Sequence, residues 1–283
     1  MTPREPEPLR RLSRHPEYVR GRVDAMQDFV RHLAHHQTPE LPPTARPLFL
    51  APHPDDIIIG CGGTLKKLLA AAVPVRLIYL TDGREATLDP AQQTAMAAAR
   101  AAEAAAVSDM LGLPPPTMLG WPEGSFRDPA HLEERAGQLR ALLESFEPDG
   151  VFLPYLFDQN ADHRFCNHLL ARALTLSSRR PAIYGYEVLT IIPPGMAIDI
   201  TDQLEGKQEL LGCYPSQLAL FPYQQMVDVV DRQHASLVGG NCRAAEVFCQ
   251  FAGEAYLEVI GSLDLAHPDA LTGEVRTTPP DTW

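Results

Sequence analysis

The sequence predicts an α/β protein built on a doubly wound, mostly parallel β-sheet. Three observations carry that expectation. Short apolar runs rich in Val, Ile and Leu recur at Leu48–Ala51, Val75–Leu80 and Val151–Tyr155; interrupted by a charge only at Arg76, they read as strands buried on both faces. Segments with helical spacing separate them, the alternation that a parallel sheet requires. Two of the runs end in polar turns dense in His and Asp, at the strand ends where such sheets bind ligands.

In chain order, residues 1–14 read as a leader. From Pro16 to His35, Val19, Val23, Met26, Phe29, Val30 and Leu33 recur at helical spacing, so an amphipathic helix is expected to dock on the main body. Gln37–Pro47 holds four prolines and reads as a linker, closing a first unit at residue 46. Strand Leu48–Ala51 then leads to a helix over Gly60–Ala72, and strand Val75–Leu80 follows. Asp89-Pro90 supplies an N-cap and a first-turn proline for an alanine-rich helix that stops before Pro114-Pro115-Pro116. Met118–Trp121 is a weak strand, Asp128-Pro129 opens a helix to Phe146, and Val151–Tyr155 is a buried strand. His163–Leu176 reads as helix and Ile183–Val188 as strand. Beyond Tyr186 the rhythm changes: Pro193-Pro194-Gly195, Ala197–Ile200 and helical stretches from Asp202 read as a C-terminal cap. The main domain is thus expected over 47–250, with the cap from about 187 and an extension and tail over 251–283.

Composition narrows the partners. The 283-residue chain carries a net charge of −12, which disfavours nucleic acid and anionic membrane surfaces. No apolar run approaches the ~20 residues that span a bilayer. Met1–Arg22, crowded with Arg, Glu and Pro, lacks the apolar core of a secretory signal. Five scattered cysteines without a Cys-x-x-Cys pair fit reduced thiols, so a cytoplasmic location is expected.

The candidate chemistry sits in Ala51-Pro52-His53-Pro54-Asp55-Asp56. Adjacent carboxylates repel, and a divalent cation removes that cost. His53 and Asp56, spaced i, i+3, share one side of a helical first turn, and imidazole with carboxylate suits zinc or a similar ion. Asp55 is then free to act as a base. A plain helix cap would explain one Asp but not the His-Pro-Asp-Asp unit. A third ligand is available after strand Val151–Tyr155, where Asp158-Gln159-Asn160-Ala161-Asp162-His163 again marks a strand end. Two imidazoles and a carboxylate leave one tetrahedral position open, the composition of a catalytic zinc site. Asp162 is placed to orient His163 or to cap the helix, Asp158 receives no role, and Cys166 reads as a small buried hydrophobe.

Several segments together resemble one family. Pro52-His53-Pro54-Asp55-Asp56-Ile57 resembles its His-Pro-Asp-Asp-Glu motif, and Gly60-Cys61-Gly62-Gly63-Thr64-Leu65 the glycine-rich helix start behind it. Leu80-Thr81-Asp82-Gly83-Arg84, the pair Arg100 and Glu103, and Gly120-Trp121-Pro122-Glu123-Gly124 follow in the family's order. So do Glu187-Val188, Asp199-Ile200-Thr201-Asp202, Lys207 and Tyr214-Pro215-Ser216-Gln217. Over roughly residues 47–250 the chain resembles the PIG-L / LmbE-like superfamily of zinc-dependent N-acetylglucosamine deacetylases. That resemblance implies a Rossmann-like sheet, Zn2+ on His53, Asp56 and His163, and Asp55 as general base. It also implies Arg84, Arg100 and Glu103 as substrate-binding residues, and an N-acetyl amino sugar or its conjugate as the small-molecule substrate.

Two departures stand out. Ile57 replaces the motif's closing Glu, and Asn160 replaces the first His of His-x-Asp-His. Asparagine can donate a hydrogen bond to an oxyanion but cannot deliver a proton. Alternatives therefore stay open at this point: an impaired sugar- or metal-binding member of the fold, or an amidase acting on another conjugate. His234 is a candidate for the missing acid, and Trp121 for stacking on a sugar.

Overall fold

The computed structural model describes residues 36–262; the helix expected over Pro16–His35 and the tail beyond 262 lie outside the described residues. Seven strands form one sheet: β1 (Pro47–Ala51), β2 (Arg76–Thr81), β3 (Thr117–Trp121), β4 (Gly150–Pro154), β5 (Ala182–Tyr186), β6 (Met196–Asp199) and β7 (Ala245–Phe251). Their order is β3-β2-β1-β4-β5-β7-β6. The five strands from β3 to β5 are parallel, with Phe49 opposite Leu77 and Phe152. Strand β7 runs antiparallel to both β5 and β6.

The alternation of side chains along β1 shows why both faces must be covered. Leu48 and Leu50 enter one apolar cluster and Phe49 and Ala51 the other. On the Phe49 face lie α1 (Asp56–Ala70), α2 (Gln93–Met110), α5 (Leu204–Leu211) and α7 (Tyr223–Val238), with the short α6 (Pro215–Leu218) packed on α2. On the Leu48 face lie α3 (Leu132–Phe146), α4 (Ala161–Thr175) and α8 (Gly253–Ser262). The chain winds outward from β1 to β3, then returns to β4 on the other side of β1. The loops leaving β1 and β4 therefore diverge and open a crevice at their carboxyl ends.

The C-terminal segment differs from the expected cap. Besides helices it contributes β6 and β7, which widen the sheet by two strands. The body also continues past residue 250: Tyr256 of α8 is fully buried and donates from its hydroxyl to the Asn167 carbonyl at 2.9 Å. Among the described residues no helix is long and apolar enough to cross a membrane, and all five cysteines are unpaired.

Helix α1 lies unusually close to its neighbours. A Cβ on Gly60 would collide with the Tyr186 ring, and one on Gly63 would come within 2.8 Å of Ile200. The helix is broken at Cys61 (φ −152°, ψ 24°), which frees main-chain donors beyond the break. Glu246 of β7 accepts them, from Gly63 at 2.8 Å and Thr64 at 2.7 Å. A fully buried Lys207 then neutralises Glu246 at 2.8 Å and Asp231 at 2.8 Å.

Candidate active site

Strand β1 ends at Ala51 and α1 begins at Asp56, four residues earlier than the sequence suggested, so His53, Pro54 and Asp55 occupy the turn between them. Asp56 Oδ2 accepts the main-chain N–H of His53 at 2.9 Å and lies 3.2 Å from His53 Nδ1. From the C-terminal half, Tyr214 donates to the Pro54 carbonyl at 2.5 Å and pins the turn.

The second strand end supplies His163. Asn160 is the N-cap of α4, its Oδ1 accepting the Asp162 N–H at 2.8 Å. One turn on, His163 Nε2 lies 3.2 Å from Asp56 Oδ1, and its Nδ1 lies 3.0 Å from Asp158 Oδ1. Neither contact is aligned as a hydrogen bond, so both nitrogens of this buried ring lack a hydrogen-bond partner. Asp158 is itself fixed, accepting from the main chain of Asn160 at 2.8 Å and Leu189 at 3.1 Å. Sequence reasoning gave Asp158 no role. Its signal was a carboxylate at the end of β4, five residues ahead of the histidine it faces.

One ligand atom each from His53, Asp56 and His163 lie within 4.8 Å of one another. A buried imidazole nitrogen with no hydrogen-bond partner is costly unless an ion takes it. Together with the donor types, this means the residues fit a divalent metal such as zinc. The charges agree. Burial alone would push His163 down, yet Asp56 and Asp158 raise it to about 9. His53 behaves likewise, held well above its usual value by Asp56, Asp162 and Glu123 against burial. Asp56, between two imidazoles, is held far below the usual carboxylate range although burial works the other way.

Asp55 faces elsewhere. Its Oδ1 accepts from the Arg100 guanidinium at 2.7 Å, both side chains being buried. Glu103, one helical turn on, is not in the cleft: its carboxylate holds the Ser216 N–H at 2.8 Å and hydroxyl at 2.7 Å, fastening α6 onto α2. Arg84 is likewise committed, its Nε bonding Asp82 two residues back at 2.7 Å. Asp162 differs from expectation. The helix cap is Asn160, and Asp162 turns instead to Arg127 Nε at 2.8 Å and His53 Nε2 at 3.3 Å. His234 faces Glu187 at 3.7 Å and lines a separate groove. Trp121 stacks on Phe126 and under Arg135, and Cys166 is fully buried.

A cleft of about 170 Å³ has His53, Asp55, Asp56, Arg100, Asn160 and His163 on its wall. Gln217 and Tyr223 from the C-terminal half and Glu85 and Glu123 from loops complete its polar lining.

Comparison with known proteins follows the same outline. Residues 48–174, from β1 to the end of α4, match the PIG-L family of GlcNAc-PI de-N-acetylases. Over that segment, a little under half of its length, the chain is similar to the PIG-L family. Diacetylchitobiose deacetylase of Thermococcus kodakarensis is 27% identical over 187 residues, covering 60% of this chain and 69% of the relative. The structure of N,N′-diacetylchitobiose deacetylase from Pyrococcus horikoshii superposes with a TM-score of 0.65 at 24% identity, over 83% of this chain and 94% of its own. GalB, a 4-carboxy-2-hydroxymuconate hydratase of Pseudomonas putida, gives 0.63 at 20% identity, over 72% and 95% of the two chains. The two structural likenesses speak to the fold, and the hydratase shows that this fold hosts more than one reaction. The PIG-L match ends at α4, so Tyr214, Lys207 and Glu246 lie outside it.

Proposed function

We propose that this protein is a metal-dependent N-deacetylase acting on an N-acetylated amino sugar or its conjugate. The observation that carries the proposal is the convergence of His53, Asp56 and His163 beside an independently held Asp55, on the wall of one polar cleft. The PIG-L match and the diacetylchitobiose deacetylase relative support the acetylamino substrate class.

A divalent metal held by His53, Asp56 and His163 would polarise an acyl carbonyl and acidify a water. Asp55 takes the proton of the attacking water and passes it to the departing amine, so one carboxylate serves as base and then acid. Arg100 holds the Asp55 carboxylate in place for the first step. Asn160 has its Oδ1 committed to the α4 cap, which leaves the amide's NH2 as the group free to donate to the tetrahedral oxyanion. Because that cap use also explains the residue structurally, a silent sugar-binding protein is the second reading. Incubation of purified protein with a panel of N-acetyl sugars and detection of free amine with fluorescamine separates the two. Amine release that disappears on chelation supports the deacetylase, and no release from any member sinks it.

A further inference from the structure

The side of His53 turned away from Asp56 is built with care, and the deacetylase proposal makes no use of it. Nε2 faces two carboxylates at once, Glu123 Oε1 at 3.2 Å and Asp162 Oδ2 at 3.3 Å. Nδ1 meanwhile faces Asp56 Oδ2, within the donor set that includes His163. A neutral imidazole carries one ring proton, and the partner of one nitrogen decides which nitrogen is left as a ligand. Two acceptors on Nε2 hold the proton there.

The two carboxylates are not equivalent. Asp162 shares its charge with Arg127, bound through Oδ1 at 2.8 Å. Glu123 forms no ion pair with Lys or Arg among the described residues; its second oxygen accepts the Glu85 N–H at 2.7 Å. It is held in place through its own N–H, which reaches Asp82 Oδ1 at 3.4 Å, and Asp82 is in turn gripped by Arg84. The arginine expected to meet substrate thus braces the loop that presents Glu123.

We propose that Glu123 is a positioning residue for the metal site: with Asp162 it fixes the His53 proton on Nε2, leaves the Nδ1 lone pair as the ligand, and strengthens metal binding. The same three groups, His53, Glu123 and Asp162, lie close enough to hold a second cation. We favour the proton because one ring would otherwise have to serve two metals after losing both its protons. Arg127 already neutralises part of the set. The inference rests on the metal site and not on which amide is cleaved, so it can fail while the deacetylase reading stands.

The test is metal affinity and proton location in the full chain. Apo protein is titrated with zinc against a chromogenic chelator. Glu123→Gln, nearly the same shape without the charge, should weaken binding ~10- to 100-fold, and Asp162→Asn by a smaller factor. In zinc-loaded wild type labelled with 15N-histidine, the ring proton of His53 should be bonded to Nε2 and exchange slowly. It should exchange faster in Glu123→Gln. Unchanged zinc affinity in Glu123→Gln, a ring proton found on Nδ1, or a second zinc per chain that Glu123→Gln abolishes would each overturn the proposal. The wild-type spectrum and stoichiometry decide it even where a variant fails to fold.

Discussion

Arg100 meets Asp55 through a single guanidinium NH2 group at 2.7 Å, and its Nε and other terminal nitrogen are buried without a partner. A fork that could grip a carboxylate twice is engaged once, with two donors left at the cleft wall. The pair therefore fixes the Asp55 carboxylate and leaves two buried guanidinium nitrogens uncommitted beside it.

The first expectation concerns that pair. Asp55→Ala should keep its metal and lose ~10²-fold or more in kcat. Arg100→Met should strand a buried carboxylate and cost ~3–5 kcal/mol of stability. Metal analysis, steady-state kinetics and urea unfolding check the three effects separately. A metal-replete Asp55→Ala enzyme with full activity would remove Asp55 from the chemistry.

Metal content should follow the donor set. Single changes of His53, Asp56 or His163 to Ala are expected to lower the roughly one metal per chain strongly, as read by elemental analysis. Affinity should also depend on pH. His163 is raised to about 9 by Asp56 and Asp158, so below that pH a proton occupies the ring and must leave when metal binds. Apparent affinity therefore falls as pH drops below 9. A flat profile between pH 6 and 9 would contradict this.

Asn160 allows its two uses to be told apart. Asn160→Asp keeps an oxygen for the α4 cap but loses the NH2 donor. It should cost ~10²–10³ in kcat with little change in stability. Asn160→Ala should lose as much activity and ~1 kcal/mol of stability as well. Asn160→His should be tolerated and add a group that titrates near neutrality to the pH–rate profile. Equal activity of wild type and Asn160→Asp would confine the residue to capping.

Stability should fall with rising pH through one buried acid. Burial lifts Glu187 from 4.5 to about 7, so the folded state holds a proton that the unfolded state has lost. Its contribution is fully present below pH 4.5 and lost as pH rises to 7. Urea midpoints measured across that window should show a slope that Glu187→Gln reduces.

Much of this arrangement was legible because it is local. The His53–Asp56 turn and Asn160–His163 announce themselves by spacing at the ends of apolar runs, and the alternation of runs announces the parallel sheet. What escaped is what tertiary structure decides. Asp158 and Asp162 sit in the same short turn, and only the course of the backbone tells which one faces His163. Arg84 was expected to meet substrate, and Asp82 two residues back engages its guanidinium. Glu103 shares a helix with Arg100 but is drawn to Ser216 of a segment 113 residues away. Strand β7 lies at the antiparallel edge, outside the βα rhythm, and only the preceding Gly239-Gly240-Asn241 hinted at a turn before it.

The break in α1 has a bearing on how the protein is made. The first turn of that helix carries Asp56, while the second half is held at its start by Glu246, 183 residues further along than Gly63. On a ribosome all three candidate metal ligands, Asp56 of α1 among them, are made before Glu246, the carboxylate that seats α1. The nascent chain would hold a metal-seeking cluster without its foundation, and metal capture during synthesis would depend on how long translation takes to reach β7.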